Sequence, residues 1–246
     1  MKSATILLAA AVLFAGPFAR AELPPLLADS AMLDRAYIPA LMLSNGKDPA
    51  KARAAQAGYE DAWRRFAANQ RSARPGDAEW AKVLAAIDRA NAQARAALDA
   101  GAMKDAHDAQ EEVRHALWHD RQAAKLRYQP DLLTDFHATM ELIIADATAK
   151  PPTTIGQAEI AKLRGRLGTA RASWQQVKAA AWEPADYGLD GKRLQSYRAA
   201  LDAEDKALDE LAAALDAGDG ARIATAATAI KPPFARAYAA FGVFPE

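Results

Sequence analysis

Apolar residues recur along most of the chain at intervals of three and four, and nowhere do they alternate as a half-buried strand requires. Tyr59, Trp63 and Phe66 stand at i, i+4 and i+7, Trp80, Leu84 and Ile87 repeat the spacing, and Leu167, Trp174 and Val177 make a third stripe. Such stripes are the buried faces of amphipathic helices, with aromatic side chains supplying large apolar area. Proline and glycine fall mainly between the periodic stretches, where helix breakers belong. The pattern predicts helices over about 29–44, 48–71, 77–99, 103–126, 131–148, 157–182, 190–217 and 220–241. Pro39 should kink or interrupt the first and Pro232-Pro233 the last, because proline lacks the helical N–H donor and crowds the preceding turn. The fold class this implies is all-α: two related antiparallel helical bundles.

The relation between the bundles rests on a repeat. Ala97-Leu98-Asp99-Ala100-Gly101 recurs as Ala214-Leu215-Asp216-Ala217-Gly218, and the same offset brings Val113-Arg114 onto Ile230-Lys231 and Leu117 onto Phe234. At a slightly different offset, the segment around Trp63 resembles that around Trp174. A period of this size suggests duplicated domains rather than solenoid units. The segment Lys150-Pro151-Pro152-Thr153-Thr154-Ile155-Gly156-Gln157 is the expected boundary. The organisation read from the sequence is therefore a leader over 1–21, a bundle over 22–149 carrying a histidine-rich hairpin, a linker over 150–157, and a second bundle over 158–246 without histidine.

The leader changes the picture of where the chain works. Lys2 precedes an apolar run from Ile6 to Ala15, and Ala19-Arg20-Ala21 is a small-x-small cleavage pattern, so export with cleavage after Ala21 is expected. The run is too short for an ordinary membrane span and no later segment is apolar for long enough, which points to a periplasmic or secreted protein with no membrane span in the mature chain. Lysine plus arginine number 31 and aspartate plus glutamate 31. Cleavage would remove Lys2 and Arg20 and no acid, leaving a slightly acidic chain with no electrostatic reason to bind nucleic acid or an anionic membrane. Cysteine is absent, which excludes disulfides, thiolate metal sites and covalent haem attachment.

All four histidines, His107, His115, His119 and His137, lie within one stretch of 31 residues. With 100° per residue, Asp108, Glu112, His115 and His119 share one stripe of their helix, beside a narrow apolar stripe centred on Val113. On the next helix His137 falls among Leu133, Met140 and Ile144, with Glu141 one turn on. A short connection makes the two helices antiparallel. A turn near 129 would bring His119 level with about 139 and His115 with about 143. The expected ligands of a divalent or copper ion are His115, His119, His137 and Glu141, with Glu112 and Met140 as ligands or supporting groups and His107 the weakest candidate. Imidazole and carboxylate suit zinc, iron, manganese or nickel, and a thioether shifts the preference toward copper. The competing reading is a solvated face of i, i+4 pairs, a core His137 bonded to Glu112 or to a carbonyl, and surface pairing of Arg114 and Arg121 with Glu111 and Asp120.

The closing helices of each half, carried by the Ala-Leu-Asp-Ala-Gly repeat and the residues after it, resemble those of periplasmic four-helix-bundle cytochromes of the cytochrome c-prime type. The resemblance implies a haem-binding bundle. The Cys-x-x-Cys-His motif is missing, since the corresponding positions read Arg114-His115-Ala116-Leu117 and Lys231-Pro232-Pro233-Phe234. Only non-covalent haem would remain, held by His137 or His119 with Met32, Met42 or Met103. No nucleophile, phosphate loop or metalloprotease signature is present. The expectation is a periplasmic metal-binding protein concerned with handling, sensing or delivery and not an enzyme. The alternative is a metal-free helical interaction module that binds a partner protein or a small ligand.

Overall fold

The computed structural model describes residues 24–245, so the leader and cleavage site expected over 1–21 lie outside the described residues. Among the described residues the protein is all-α: α1 (Pro25–Ser44), α2 (Pro49–Ala73), α3 (Ala78–Asp99), α4 (Met103–Ala123), α5 (Gln129–Thr148), α6 (Gln157–Ala179), α7 (Gly191–Ala217), α8 (Gly220–Ala229) and α9 (Lys231–Ala239), with short 3-10 turns at Pro152–Thr154 and Pro184–Tyr187. No helix among them is long and apolar enough to cross a membrane.

Local chemistry sets the ends. Asp48 caps α2 by accepting from the amides of Ala50 and Lys51, Asp77 caps α3 through Trp80, and Asp219 caps α8 through Ala221 and Arg222. Gly101 and Gly218, the repeated glycines, take φ of +73° and +68° just after α3 and α7, a left-handed conformation that glycine adopts without a Cβ penalty. The last helix breaks at Ile230, ahead of Pro232-Pro233, as the prolines require.

Helix α1 runs through Pro39 without interruption. Proline removes one N–H, which orphans the carbonyl of Arg35 four residues back. The amide of Val243 takes that carbonyl at 2.7 Å. Gly242 lies so close to the proline ring that a Cβ there would come within 2.8 Å of Pro39 Cδ. The gap in the helix ladder is thus a docking point for the segment after α9.

Helices α1 and α2, α3 and α4, α2 and α3, and α1 and α4 pack on one another, which closes a first four-helix bundle. Helix α5 packs on α6, α8 and α9, and α7 packs on α6, α8 and α9, which makes a second. The pairing order therefore recurs, with α5 standing where α1 stands. Residues 150–157, expected as the boundary, join α5 to the helix against which it packs, and the 3-10 turn at 152–154 packs on α8. Packing partners change instead at the connection 124–128. The second bundle accordingly contains His137, because α5 belongs to it. One continuous apolar core runs through both bundles, from Leu33, Tyr59 and Trp80 to Phe136, Trp174 and Leu211.

A buried charged knot joins them. Arg121 of α4 makes two hydrogen bonds to Asp131 of α5, at 2.9 and 2.6 Å, and lies 4.6 Å over the Tyr128 ring. The Tyr128 hydroxyl donates to Asp34 of α1 at 2.7 Å. Burial pushes Asp34 up to about 6, against the pull of Arg121 and of the Tyr128 hydroxyl.

Candidate functional site

Helices α4 and α5 face one another across the junction of the bundles, and three side-chain pairs fix their register. Arg121 meets Asp131, Trp118 Nε1 donates to Asp135 at 2.9 Å, and Arg114 Nη2 meets His137 Nδ1 at 2.8 Å. His115 therefore comes level with His137, not with residue 143. The shift arises because α4 ends at Ala123 and Pro130 is taken into the first turn of α5, so the turn centres nearer 126 than 129.

Three of the expected ligands are brought together. His115, His137 and Glu141 line a cleft of about 730 Å³ bounded by α1, α4, α5 and α9. Three are not. Met140 is fully buried in the core, Glu112 is exposed, and His119 is exposed with its ring 4.5 Å from that of Trp118. The stripe of Asp108, Glu112, His115 and His119 is the solvated face of α4. The cleft takes most of its α4 wall one step round the helix, from Lys104, His107, Glu111 and Arg114, with Asp108 and His115 of the exposed stripe beside them. His107, the weakest candidate from sequence, is thus part of the site, and so are Glu111, Arg114 and, from α9, Lys231 and Tyr238. The i, i+4 spacing of His107 with Glu111 was a visible signal; Lys231, far off in sequence, had none.

These groups form one connected chain. His107 Nδ1 donates to the Leu41 carbonyl at 3.1 Å, since a carbonyl only accepts. Its Nε2 faces Glu111 Oε1 at 3.6 Å. Glu111 pairs with Arg114, which also donates to His137 Nδ1. An arginine has no acceptor, so His137 must hold its proton on Nε2, where Glu141 Oε1 lies 3.3 Å away. Lys231 Nζ completes the chain at 2.8 Å from the same oxygen. Burial lowers the His137 pKa, against the hydrogen bond to Glu141 and together with the charge of Arg114, so the ring is neutral at neutral pH. The His137 hydrogen bond and then Lys231 hold Glu141 down at about 2.

The polarity of this chain decides what it can bind. A metal on His137 Nε2 would put the ring proton on Nδ1, pointing at an arginine N–H, donor against donor. Arg114, 5% exposed at its side chain, already fills the cationic position between Glu111 and His137. Among the described residues no three His, Asp or Glu side chains converge as a metal centre requires. Arg114 and Arg121 pair inside the protein, Arg114 with Glu111 as expected and Arg121 with Asp131 in place of Asp120. No protein-family profile, curated protein or solved structure matches the chain.

Proposed function

We propose that this is an exported binding protein whose inter-bundle cleft holds a small organic ligand. The observation that carries the reading is the internally neutralised chain Glu111–Arg114–His137–Glu141–Lys231 lining a cleft of about 730 Å³. Donors and acceptors alternate along it, while Phe234, Tyr238 and Leu41 supply apolar wall. That combination of apolar area and a few placed polar groups is how small-molecule sites are built. The occupant would be a polar organic molecule with both donor and acceptor groups on an apolar body. Export rests on the leader pattern in residues 1–21.

A metal ion is the second reading, favoured by His107. Its Nδ1–H points to a backbone carbonyl and leaves Nε2 as a ligand toward the cleft, the usual arrangement for a metal-bound histidine. Glu111 would be its partner and Arg114 would have to move. Non-covalent haem is tested with it, because Met42 lines the same cleft as His137.

Native mass spectrometry of protein purified undenatured from its own host tests these readings. The expected result is an added organic mass that is lost in a His137→Ala/Lys231→Met variant and retained in His119→Ala. An added mass of a bare metal ion, lost in His107→Ala, or of haem with its Soret band, would overturn the organic-ligand reading. Protein without added mass, whose melting temperature no small-molecule or metal panel raises, would overturn the cleft as a binding site.

A further inference from the structure

A second cavity, of about 810 Å³, opens between the middle of α1, the start of α7, the end of α9 and the segment after α9. Four cationic side chains line it, Arg35, Lys192, Arg193 and Arg236, against one acid, Asp190. Several cations elsewhere on the surface are paired within the chain, as Arg95 is with Glu60, Lys162 and Arg166 with Asp146, Arg171 with Asp209 and Lys178 with Asp205. Among the described residues no carboxylate pairs with Arg35, Lys192 or Arg236 within ion-pair distance, although the chain as a whole is neutral.

The cavity is also built. Arg193 spends its guanidinium on carbonyls, donating to Ala240 at 3.2 and 2.6 Å, to Gly242 at 3.1 Å and to Gly188 at 2.9 Å, and so ties the start of α7 to two other chain segments around the opening. Arg35 lies against Gly188, where a Cβ would come within 3.0 Å of its Nη1. Gly188 has φ +67°, so both its conformation and this close approach call for glycine. The two guanidiniums are near enough that Arg35, after burial, is a cause of the lowered Arg193 pKa. Holding like charges together in a folded protein is unfavourable unless an anion answers them. The first turn of α7, which receives no side-chain cap, adds the positive end of its dipole to the same space. Val243 and Phe244 stand 48% and 39% exposed at the rim, apolar surface of a kind otherwise rare on this molecule.

We infer that this cavity is a binding site for an organic oxyanion, a phosphate or carboxylate group carried on an apolar body. Arg35 and Arg236 would take the oxyanion by paired N–H donors, the geometry in which guanidinium exceeds ammonium, with Lys192 adding a point charge. Phe244 and Val243 would cover the apolar body. The concavity favours a small molecule over a flat anionic membrane surface. The site is separate from the histidine cleft, although α9 walls both, through Phe234 and Tyr238 on one side and Arg236 and Ala239 on the other.

The test is calorimetric titration with phenyl phosphate, inorganic phosphate and benzoate, beside sedimentation with phosphatidylglycerol vesicles. Phenyl phosphate is expected to bind at one site, about tenfold more tightly than inorganic phosphate, with affinity that falls as salt rises. Arg35→Gln/Arg236→Gln should weaken it at least tenfold while the melting temperature of the unliganded protein stays within a few degrees of wild type. Phe244→Ser should erase the advantage over inorganic phosphate alone. Absence of binding by all three small anions would overturn the proposal. So would sedimentation with vesicles in the absence of phenyl phosphate binding, which would make the cluster a membrane contact, or phenyl phosphate binding unaffected by the double substitution.

Discussion

Glu204 on α7 is fully buried, and neither carboxylate oxygen has a hydrogen-bond partner. It faces the start of α9, where Pro232 and Pro233 have no N–H to offer, and the Phe234 amide pulls its pKa down without reaching hydrogen-bond geometry. Burial wins and raises the carboxyl to about 8, so it is protonated at neutral pH. The sign of its effect on stability follows. Between an unfolded value near 4.5 and the folded value the native state holds a proton that the unfolded chain has released, so this group's contribution is complete below pH 4.5 and is lost as pH rises through 8. Glu204→Gln keeps a neutral side chain of the same shape and removes that loss. Urea denaturation at pH 4, 7 and 9 should give similar stabilities at pH 4 and a growing advantage for the variant above it, reaching about a few kcal/mol at pH 9. Curves that stay parallel would mean that Glu204 is ionised in the native state. His137 shifts the other way and for the same reason: burial lowers its pKa, so its contribution is complete above the ordinary 6.5 and falls as the medium is acidified. Neither behaviour is legible in the sequence, because both depend on what a helix from elsewhere in the chain places beside the group.

Helices were the most legible level. Their start signals are chemical and local, an aspartate before α2, α3 and α8, and a proline at the head of α2 and α5, so the expected spans agree with those observed to within a few residues. What stayed hidden is how helices are paired. The periodicity of α5 shows an apolar face but not whether that face turns to α4 or to α6, and α5 went to the second bundle. Hence His115, His137 and Glu141 line one cleft, while Met140 turns into the core and His119 outward. Glycines show the same limit. Gly58 in α2 and Gly220 at the start of α8 look alike in the sequence, as small residues in alanine-rich helices. A Cβ on Gly58 would meet nothing within 4 Å, whereas one on Gly220 would come 1.9 Å from the Pro152 carbonyl oxygen. Gly58→Ala should therefore stabilise by about 0.5–1 kcal/mol, through the loss of freedom in the unfolded chain and the better helix propensity. Gly220→Ala should destabilise by about 1–3 kcal/mol, because backbone has to move. Thermal melts of the two variants measured together check the pair, and a stabilising Gly220→Ala would mean that the 152–154 turn is not packed on α8.

The two bundles share a core, and the charged knot sits where they meet, so the protein should unfold as one unit. Arg121 is the sensitive point. It is buried between the carboxylates of Asp131 and Asp34, which come from different bundles, and its removal leaves both without their cation. Breaking a buried pair on one side costs about 3–5 kcal/mol, far more than the loss of an exposed pair such as Arg64 with Asp61. Trp80 in α3 and Trp174 in α6 are each fully buried in a different bundle and report on the two halves separately. With fluorine-labelled tryptophan followed by NMR through a urea titration, both signals should disappear together in the wild type. In Arg121→Met both midpoints should fall by the same amount. A variant in which Trp80 is lost well before Trp174 would show that the two bundles are separately stable units joined at 124–128. That outcome would also change the meaning of the histidine cleft, because its walls come from α1 and α4 on one side and α5 and α9 on the other. Walls on independently stable bodies could part and close on a ligand, and a ligand spanning them would then raise the stability of the weaker bundle first. If the two signals move together, the cleft is fixed by the core beneath it, and a ligand should raise both midpoints equally.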